Sequence, residues 1–396
     1  MESLSSDQPF RADLIVRNAI LVDAPGTVPV PRATIVIRDG LISDGPAPAG
    51  AQELDAAGAV VTAGFWNCHV HLTEPVWSGA ARKPAAQLQP ALDDMFNSRG
   101  FTSVVDLGSN PLETAAVRRR IEAGDLLGPR IRTAGTGIFP GGGLPFYTRE
   151  SMPRLTRALT PTPRTRVGAA AASALNRWAG AEVVKLFTGS YIKPATVKPM
   201  APVIAQTAVR IARRHGLPVF AHTSDRAGLQ VAVDAGVDVI AHVPDTTEGT
   251  APLLHEAAAM GRWLVPTLDM FAQTVTRDPA YIDPIHASLN LFRAEGGRLL
   301  FGTDAGYLTD HDPRGELAAL DACGLGVDDV LAMLTTHPAT AFGTGTGTVA
   351  PGQPGDLVLL DKLATVTDLA TVRTTVRAGQ VTWARATTSM AEQRTE

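Results

Sequence analysis

The sequence predicts an α/β protein in which a TIM (β/α)8 barrel carries a small β-sandwich domain built from both ends of the chain. Eight short apolar strand candidates alternate with helical stretches between residues 64 and 342, and eight parallel strands close such a barrel. The flanking segments, 1–63 and 343–396, contain short strand patterns separated by turns. At 396 residues the chain is also too long for one simple core. We therefore expect a barrel domain at 64–342 and one β domain formed by 1–63 together with 343–396.

The elements can be justified in chain order. Residues 13–62 contain apolar runs with Gly and Pro between them, such as "DLIVRNAILV" and "RATIVIRDGLI", which is typical of short strands. The barrel strand candidates are "GFWNCHVHL", "FTSVVDLG", "RIRTAGTG", "EVVKLFTG", "LPVFAHTS", "VDVIAHVPD", "RWLVPTL" and "RLLFGTDAG". Apolar spacing of about 3.6 residues predicts helices between them at 113–123, 167–179, 201–214, 226–235 and 251–260. An open doubly wound sheet is the competing architecture, but it usually has fewer strands, and no G-x-G-x-x-G follows the first strand.

Composition and charge exclude several classes of function. A net charge of −4 and a pI of about 6.2 give no reason to expect nucleic acid or an acidic membrane surface as a partner. No run of 18 apolar residues predicts a membrane span, and the first residues do not resemble a signal peptide. The two cysteines provide no disulfide framework. We expect a cytoplasmic protein that acts on a small molecule, and we leave open whether it forms a homo-oligomer.

Polar side chains stand at the ends of five of the eight strand candidates. They are His69, His71, Lys185, His222, His242 and Asp304. A buried polar group without a partner costs several kcal/mol, so six in register need a common explanation. Side chains at i and i+2 of a strand face the same way, so His69 and His71 converge and can bind one divalent ion. Two ordinary histidines at a strand terminus are the alternative for this pair taken alone.

Lys185 is notable because the chain has only five lysines among its 35 basic residues. A buried lysine can lose its proton, whereas arginine cannot. A neutral ε-amine can react with carbon dioxide to give a carbamate, which is an anionic ligand able to bridge two metal ions. The alternative is a lysine whose amine reaches solvent at the barrel rim.

Together these segments resemble the amidohydrolase superfamily, in its imidazolonepropionase-related and prolidase-like branch. The resemblance rests on "GFWNCHVHL", "VVKLFTG", "LPVFAHTS", "VDVIAHVPD", "GTDAG" and "GTVAPGQPGDLVLLD", which occur in the family's order. It implies a binuclear centre, most often zinc, with manganese, iron or cobalt as other metals. His69, His71 and Asp304 would bind one ion and His222 and His242 the other. Carboxylated Lys185 would bridge them together with a hydroxide, and the implied catalytic residues are Asp304, Lys185 and His242.

The function that this resemblance implies is metal-dependent hydrolysis of a C–N bond in an amide, a cyclic amide or a dipeptide-like substrate. A lactonase or esterase on the same metal centre is the alternative within enzymes, and a non-catalytic metal-binding or scaffold barrel is the alternative of another class. For substrate contacts we single out Tyr147, Tyr191, Lys193 and His311, which lie in loops after strand candidates. A solvated loop position is the competing interpretation for Lys193 and His311. Asp106, Asp225 and Asp245 are candidates for orienting the ligands, and whether 137–170 acts as a lid is left open.

Overall fold

The computed structural model describes residues 11–152 and 154–386. The strands at the beginning of the chain are β1 (Leu14–Leu21), β2 (Val30–Arg38), β3 (Leu41–Ser43), β4 (Gln52–Asp55) and β5 (Val60–Ala63). The central strands are β6 (Phe65–Val70), β7 (Phe101–Asp106), β8 (Arg130–Thr133), β9 (Val184–Phe187), β10 (Gly189–Lys193), β11 (Thr196–Pro199), β12 (Val219–His222), β13 (Val239–Ala241), β14 (Trp263–Val265) and β15 (Arg298–Leu299). The final strands are β16 (Leu357–Leu360), β17 (Val372–Arg377) and β18 (Gln380–Ala384).

Helices fill most of the connections between the central strands. They are α1 (Ala85–Met95), α2 (Pro111–Glu122), α3 (Phe146–Ser151), α4 (Arg154–Leu159), α5 (Arg166–Trp178), α6 (Pro202–Arg214), α7 (Arg226–Ala235), α8 (Ala251–Ala259), α9 (Leu268–Thr274), α10 (Pro279–Ala294), α11 (Arg314–Ala322), α12 (Val327–Leu334) and α13 (Thr336–Phe342). All five helices expected from apolar spacing are present as α2, α5, α6, α7 and α8. None of the helices in 11–152 and 154–386 combines the length and apolar content that a membrane span needs.

Strands from both ends of the chain form one eight-stranded sheet. Its order is β18-β17-β16-β5-β1-β2-β3, with β4 paired to β1. The two ends meet where β16 runs antiparallel to β5, with Val358 opposite Thr62. The chain therefore leaves this sheet after β5 and returns to it at β16.

Apart from β10 and β11, which pair antiparallel with each other, the central strands form two parallel sheets whose edges are joined by further backbone hydrogen bonds. One sheet is β6-β7-β8 and the other is β15-β14-β13-β12-β9. Between β8 and β9, Ile138 N–H donates to Lys185 O at 2.9 Å, and a parallel bridge pairs Ile138 with Leu186. Between β6 and the chain after β15, Cys68 N–H donates to Phe301 O at 2.7 Å. The carboxyl ends of these strands therefore lie at a common edge of the two sheets.

Local sequence explains how the helices begin and end beside these strands. Asn110 accepts a hydrogen bond from Leu112 N–H at the start of α2, and Pro111 occupies the first turn, where its missing N–H costs nothing. Asp225 caps α7 in the same way through Gly228 N–H at 2.8 Å. α7 ends at Gly236, whose φ of +75° is the left-handed conformation that glycine adopts most easily.

The core lies between the parallel strands and the helices that cover them. β7 is buried along its whole length, as expected for a parallel strand covered on both faces. Phe65, Phe101 and Phe301 are fully buried there, and burial of each such side chain contributes about 1.5–3 kcal/mol. The hairpin β10–β11 was not expected from the sequence, which suggested only a loop after β9. Its turn depends on Ala195, whose φ of +54° gives no sequence signal of the kind that glycine provides.

We expect Gly306→Ala to destabilise the protein strongly. A Cβ at Gly306 would lie 1.7 Å from the carbonyl oxygen of His71, so the chain after β15 would be forced away from the end of β6. Gly324→Ala is the matched control, because Gly324 has a similar positive φ but open space around a Cβ. The overpacking predicts an additional loss of about 1–3 kcal/mol of unfolding free energy for Gly306→Ala. Equal midpoints of thermal unfolding for the two variants would contradict this prediction.

Candidate metal centre

The structure places the six predicted metal ligands at or near the carboxyl ends of parallel strands. They are His69 and His71 at the end of β6, Lys185 within β9, His222 at the end of β12, His242 directly after β13 and Asp304 shortly after β15. His69, Lys185, His242 and Asp304 are buried, and the other two are nearly so. The apolar runs that make the strands therefore carry these side chains into the interior at one edge of the sheets.

Three of these side chains form a compact group that could hold a metal ion: His69, His71 and Asp304. Oδ1 of Asp304 lies 3.1 Å from Nε2 of His71 and 3.4 Å from Nε2 of His69. The two imidazole centroids are 5.3 Å apart, because the i and i+2 positions of a strand face the same way. The ligand atoms of the three residues all lie within 4.8 Å of one another.

The other three side chains extend this group on one side. Nζ of Lys185 lies 3.4 Å from Nε2 of His69, and Nε2 of His242 lies 3.9 Å from Oδ2 of Asp304. The imidazole centroid of His242 is 4.5 Å from that of His69 and 4.8 Å from that of His222. The fold thus brings all six residues into one continuous cluster, although they are spread along the chain from His69 to Asp304.

In His71, His222 and His242, one ring nitrogen has a hydrogen-bond partner, and the other ring nitrogen is left to bind a metal ion. Nδ1 of His71 lies 2.8 Å from the carbonyl oxygen of Gly108, and because a carbonyl only accepts, this nitrogen carries the proton. Nδ1 of His242 lies 2.5 Å from Oγ1 of Thr267. For His222 the bonded atom is Nε2, at 2.9 Å from Oγ of Ser224. The nitrogens left for a metal are therefore Nε2 of His71 and His242 and Nδ1 of His222.

The three aspartates expected to orient these ligands have other partners. Asp106 accepts hydrogen bonds from Ser109 and Thr133, at 2.5 and 2.7 Å. Asp225 caps α7, and Asp245 accepts hydrogen bonds from two tyrosines. The imidazoles are instead oriented by a backbone carbonyl and two hydroxyl groups. No spacing in the sequence indicates these contacts, since Gly108 and Thr267 lie far along the chain from their histidines.

Burial and the Asp304 carboxylate together set the protonation of the centre. Burial opposes protonation of His71, but the hydrogen bond and charge of Asp304 outweigh it and raise the pKa of His71. Burial lowers the pKa of His69 and His242 well below the ordinary value, and the positive charge of Lys185 adds to this. It lowers the pKa of His222 to about 3. Burial also lowers the pKa of Lys185 to about 7, against the opposing effect of the Asp304 carboxylate. An amine that is partly neutral at pH 7 is the form that reacts with carbon dioxide, and neutral imidazoles are the form that binds metal ions.

The residues present fit a divalent metal ion. Oδ1 of Asp304 and Nδ1 of His69 are buried and have no hydrogen-bond donor or acceptor among the described residues. A buried carboxylate oxygen without a donor is costly, and a cation placed between this oxygen and the neighbouring imidazoles would remove that cost. Imidazole and carboxylate ligands suit zinc, manganese, iron and cobalt. The arrangement could therefore hold a metal ion.

All four tyrosines of the chain lie around this end of the sheets. Tyr191 and Tyr281 both donate to Oδ2 of Asp245, at 2.8 and 3.0 Å, and so connect the β10 hairpin to α10. The rings of Tyr147 in α3 and Tyr307 after β15 are 5.7 Å apart. Tyr147 lies in the electrostatic field of Tyr307, Asp304 and Asp245, and this negative field adds to burial in raising its pKa. The expected substrate contacts Tyr147 and Tyr191 thus belong to an aromatic wall, which also contains Tyr281 and Tyr307.

The other two expected substrate contacts occupy different surroundings. Lys193 is exposed at the end of β10. His311 is buried between two carboxylates, with Nδ1 2.8 Å from Asp94 and Nε2 3.1 Å from Glu74. This placement differs from the solvated loop histidine that served as the competing interpretation.

Two residues near the centre were missed by the sequence analysis: Thr267 and Glu316. Thr267 follows β14 and contacts His242 directly. Glu316 in α11 is 1% exposed, and its Oε2 accepts a hydrogen bond from Asp269 N–H at 2.9 Å. The available signal for Glu316 was weak, because an acidic residue in the first turn of a helix is usually a surface residue that favours the helix dipole.

The buried carboxyl of Glu316 should make stability depend on pH. Burial raises its pKa to about 8, with the Asp269 carboxylate adding to that effect against the backbone N–H donors. Between pH 4.5, the ordinary pKa of a glutamate, and pH 8 the folded state therefore binds more protons than the unfolded state, so stability is lost as pH rises through this window. We expect the metal-free wild type to lose up to about 1.4 kcal/mol per pH unit relative to Glu316→Gln. Parallel curves of unfolding free energy from pH 5 to 8 would contradict this.

Comparison with known proteins finds similarity to one family of hydrolases. A model of the amidohydrolase family matches residues 60–382. An enamidase from Eubacterium barkeri is 25% identical over 351 residues, and the match covers 83% of this chain and 81% of that protein. An imidazolonepropionase from Acidiphilium cryptum (strain JF-5) is 25% identical over 398 residues, covering 88% of this chain and 93% of that protein.

The solved structures agree with this fold. A Xaa-Pro dipeptidase with methionine bound in its active site superposes with a TM-score of 0.79 at 21% identity. The superposition covers 93% of this chain and 99% of that chain. At such an identity the likeness concerns the architecture alone, and the chemistry has to be argued from the residues of the centre.

Proposed function

Because the chain belongs to the amidohydrolase family, we propose that it is a metal-dependent hydrolase that cleaves a C–N bond in a small molecule. The observation that carries the proposal is the group formed by His69, His71 and Asp304, which is continued by Lys185, His242 and His222. All six residues that the resemblance implies as metal ligands are present, and all six lie in this cluster. A scaffold without activity would have no need to keep such a costly set of buried polar groups.

The cluster supports a binuclear centre. His69, His71 and Asp304 would hold one divalent ion, and His242 and His222 would hold the second, with zinc as the expected metal. Lys185, carried as a carbamate, would bridge the two. When bound, the ions supply an activated water and polarise the scissile carbonyl. Manganese, iron or cobalt could take the same ligands.

The protein's own residues would move the protons. Asp304 accepts the proton from the attacking water and returns it to the leaving nitrogen, so that one water is consumed as the C–N bond breaks. His71 and His242 hold their free Nε2 atoms towards Asp304, at 3.1 and 3.9 Å from its carboxylate oxygens. Burial of the whole group excludes bulk water and strengthens each of these interactions.

The finer architecture is also part of the proposal. The hydrogen bonds of Ile138 with Lys185 and of Cys68 with Phe301 support closure of the two parallel sheets into one (β/α)8 barrel. We place the barrel domain at 64–342 and the β domain in 1–63 and 343–396, with the β-sandwich as its predicted form. A cytoplasmic location and a homo-oligomer remain predictions.

The substrate would lie against the tyrosines. Tyr147 and Tyr191 offer a phenol and an aromatic face, and Tyr281 and Tyr307 complete the wall. Lys193 is proposed to contact the polar end of the substrate. His311 remains a prediction for this role, since both of its ring nitrogens contact carboxylates, those of Asp94 and Glu74. The relatives named as an enamidase and an imidazolonepropionase support an amide or a cyclic amide, and a dipeptide-like compound remains a prediction.

Metal analysis of the purified protein, combined with a substrate panel, tests this function. We expect about two zinc ions per chain, and hydrolysis of at least one compound among N-acyl amino acids, cyclic imides and Xaa-Pro dipeptides. Lactones in the same panel test the alternative, an esterase on the same centre. Less than one bound metal per chain after equilibration with zinc would overturn the proposal.

A further inference from the structure

Four residues around the centre have a backbone conformation that is rare for residues other than glycine. Ser224, His242, Thr267 and Asp304 have φ values of +58°, +70°, +49° and +59°, and all four are buried. Each follows or ends a parallel strand. Such a conformation is strained and persists only where the surroundings enforce it. Thr267 is the least expected of them, because its side chain is β-branched.

One buried carboxyl group holds the backbone just after Thr267. Oε2 of Glu316 accepts the N–H of Asp269 at 2.9 Å. This N–H belongs to the first turn of α9 and has no partner within the helix. Glu316 comes from α11, so the contact fixes the chain after β14 to a helix that follows β15.

The hydroxyl of Thr267 has two partners, and together they define the direction of its hydrogen bonds. It donates to the carbonyl oxygen of Pro266 at 2.8 Å. Since a hydroxyl has one proton, its oxygen must accept the proton of His242 Nδ1 at 2.5 Å. This contact selects the tautomer of His242 in which Nε2 carries the free electron pair, and Nε2 is the atom directed towards Asp304.

We propose that Glu316 is a positioning residue of the centre: it holds Thr267 in its left-handed conformation, and the Thr267 hydroxyl then fixes the tautomer and orientation of His242. The inference rests on the proposed function, in which His242 holds the second metal ion. Glu316 itself contacts no proposed ligand and acts through the backbone N–H of Asp269, two residues after Thr267. Loss of this support should therefore weaken the second ion more than the first.

Paired substitutions separate this role from a general effect on folding. Glu316→Met removes every acceptor from the buried position, whereas Glu316→Gln keeps one oxygen for the N–H donors. Thr267→Val removes only the hydroxyl, and Thr267→Ser keeps it. Asp368→Leu is the control, because Asp368 is a buried carboxylate that accepts Ala364 and Thr365 N–H, at 2.9 and 2.8 Å, in another loop.

Zinc affinity, measured by competition with a chelator, is the main readout. We expect Glu316→Met and Thr267→Val to bind the weaker of two zinc ions about 10–100-fold less tightly, the usual effect of losing a contact behind a ligand. The affinity for the tighter zinc ion should be unaffected. In Glu316→Gln and Thr267→Ser both zinc affinities should remain within about threefold of the wild type. Asp368→Leu should not change zinc binding. If Glu316→Met does not fold, the Val and Ser pair still tests the contact between the Thr267 hydroxyl and His242, on which the role of Glu316 depends, and equal zinc affinity of these two variants would overturn that role.

A second readout needs no metal. In the metal-free protein with ¹⁵N-labelled histidine, NMR should show His242 protonated at Nδ1 in the wild type and a changed tautomer in Thr267→Val. The positioning role would be overturned if neither the zinc affinity nor the His242 tautomer changed in Glu316→Met and Thr267→Val. The proposed metal centre would remain intact in that case. A wild type that binds no metal would instead overturn the proposed function, so the two failures are distinguishable.

Discussion

Asp304→Asn should retain the fold and bind substrate, but turn it over at least about 100-fold more slowly, the scale expected for losing a general base. The substitution keeps the size of the side chain and one carbonyl oxygen near the imidazoles. It removes the group that can accept a proton from the attacking water. Because the effect falls on the chemical step, kcat should decrease while KM changes little.

The measurement is steady-state kinetics on the best substrate of the panel, with zinc content determined on the same preparation. Asp225→Asn is the matched control: Asp225 also follows a parallel strand, but it caps α7, and asparagine is as good a cap. It should remain within about twofold of the wild type. If Asp304→Asn, loaded with the same amount of zinc, turned over at the wild-type rate, Asp304 would not be the proton acceptor.

The sequence singled out the six residues of the cluster because each of them interrupts an apolar run. A histidine, lysine or aspartate inside "VVKLF", "VFAH" or "FGTDAG" is unexpected in a buried strand, and five such interruptions in strand order identify one edge of the sheets. The spacing of His69 and His71 added the direction of their side chains. The distances that connect Lys185, His242 and Asp304 follow from strand pairing, which the alternation of strands and helices already indicated.

The residues that position the proposed metal ligands through hydrogen bonds could not be predicted in the same way. Thr267 lies in "VPTL", where a threonine after a proline is an ordinary turn residue, and Glu316 resembles a surface acid in the first turn of a helix. Their importance depends on contacts between α11, the chain after β14 and the end of β13, which no local pattern contains. Asp106 and Asp225 looked like ligand-orienting residues from their positions at strand ends but have other roles. Asp106 ends β7 and accepts hydrogen bonds from hydroxyl groups, and Asp225 follows β12 and caps α7.

Activity lost on removal of the Lys185 side chain should be partly restored by small carboxylic acids. It is 1% exposed and its Nζ lies 3.4 Å from Nε2 of His69, so Lys185→Ala would remove the proposed bridging carbamate and leave a cavity beside the histidines. We expect activity to decrease at least about 100-fold, as for the loss of one preorganised electrostatic group. Added acetate, propionate or bicarbonate should restore part of it, because a small carboxylate can enter the cavity and take the bridging position.

Lys185→Met and Lys185→Arg define what the lysine does. Methionine fills the volume of the lysine stem, so the same acids should fail to restore activity in Lys185→Met. Arginine keeps the charge but cannot form a carbamate, and Lys185→Arg should therefore remain inactive. Wild-type protein equilibrated with ¹³C-bicarbonate should show one carbamate carbon by NMR, and this signal should be absent from all three variants. Full activity of Lys185→Arg would show that a positive charge is sufficient at this position, and the bridging carbamate would then have to be abandoned.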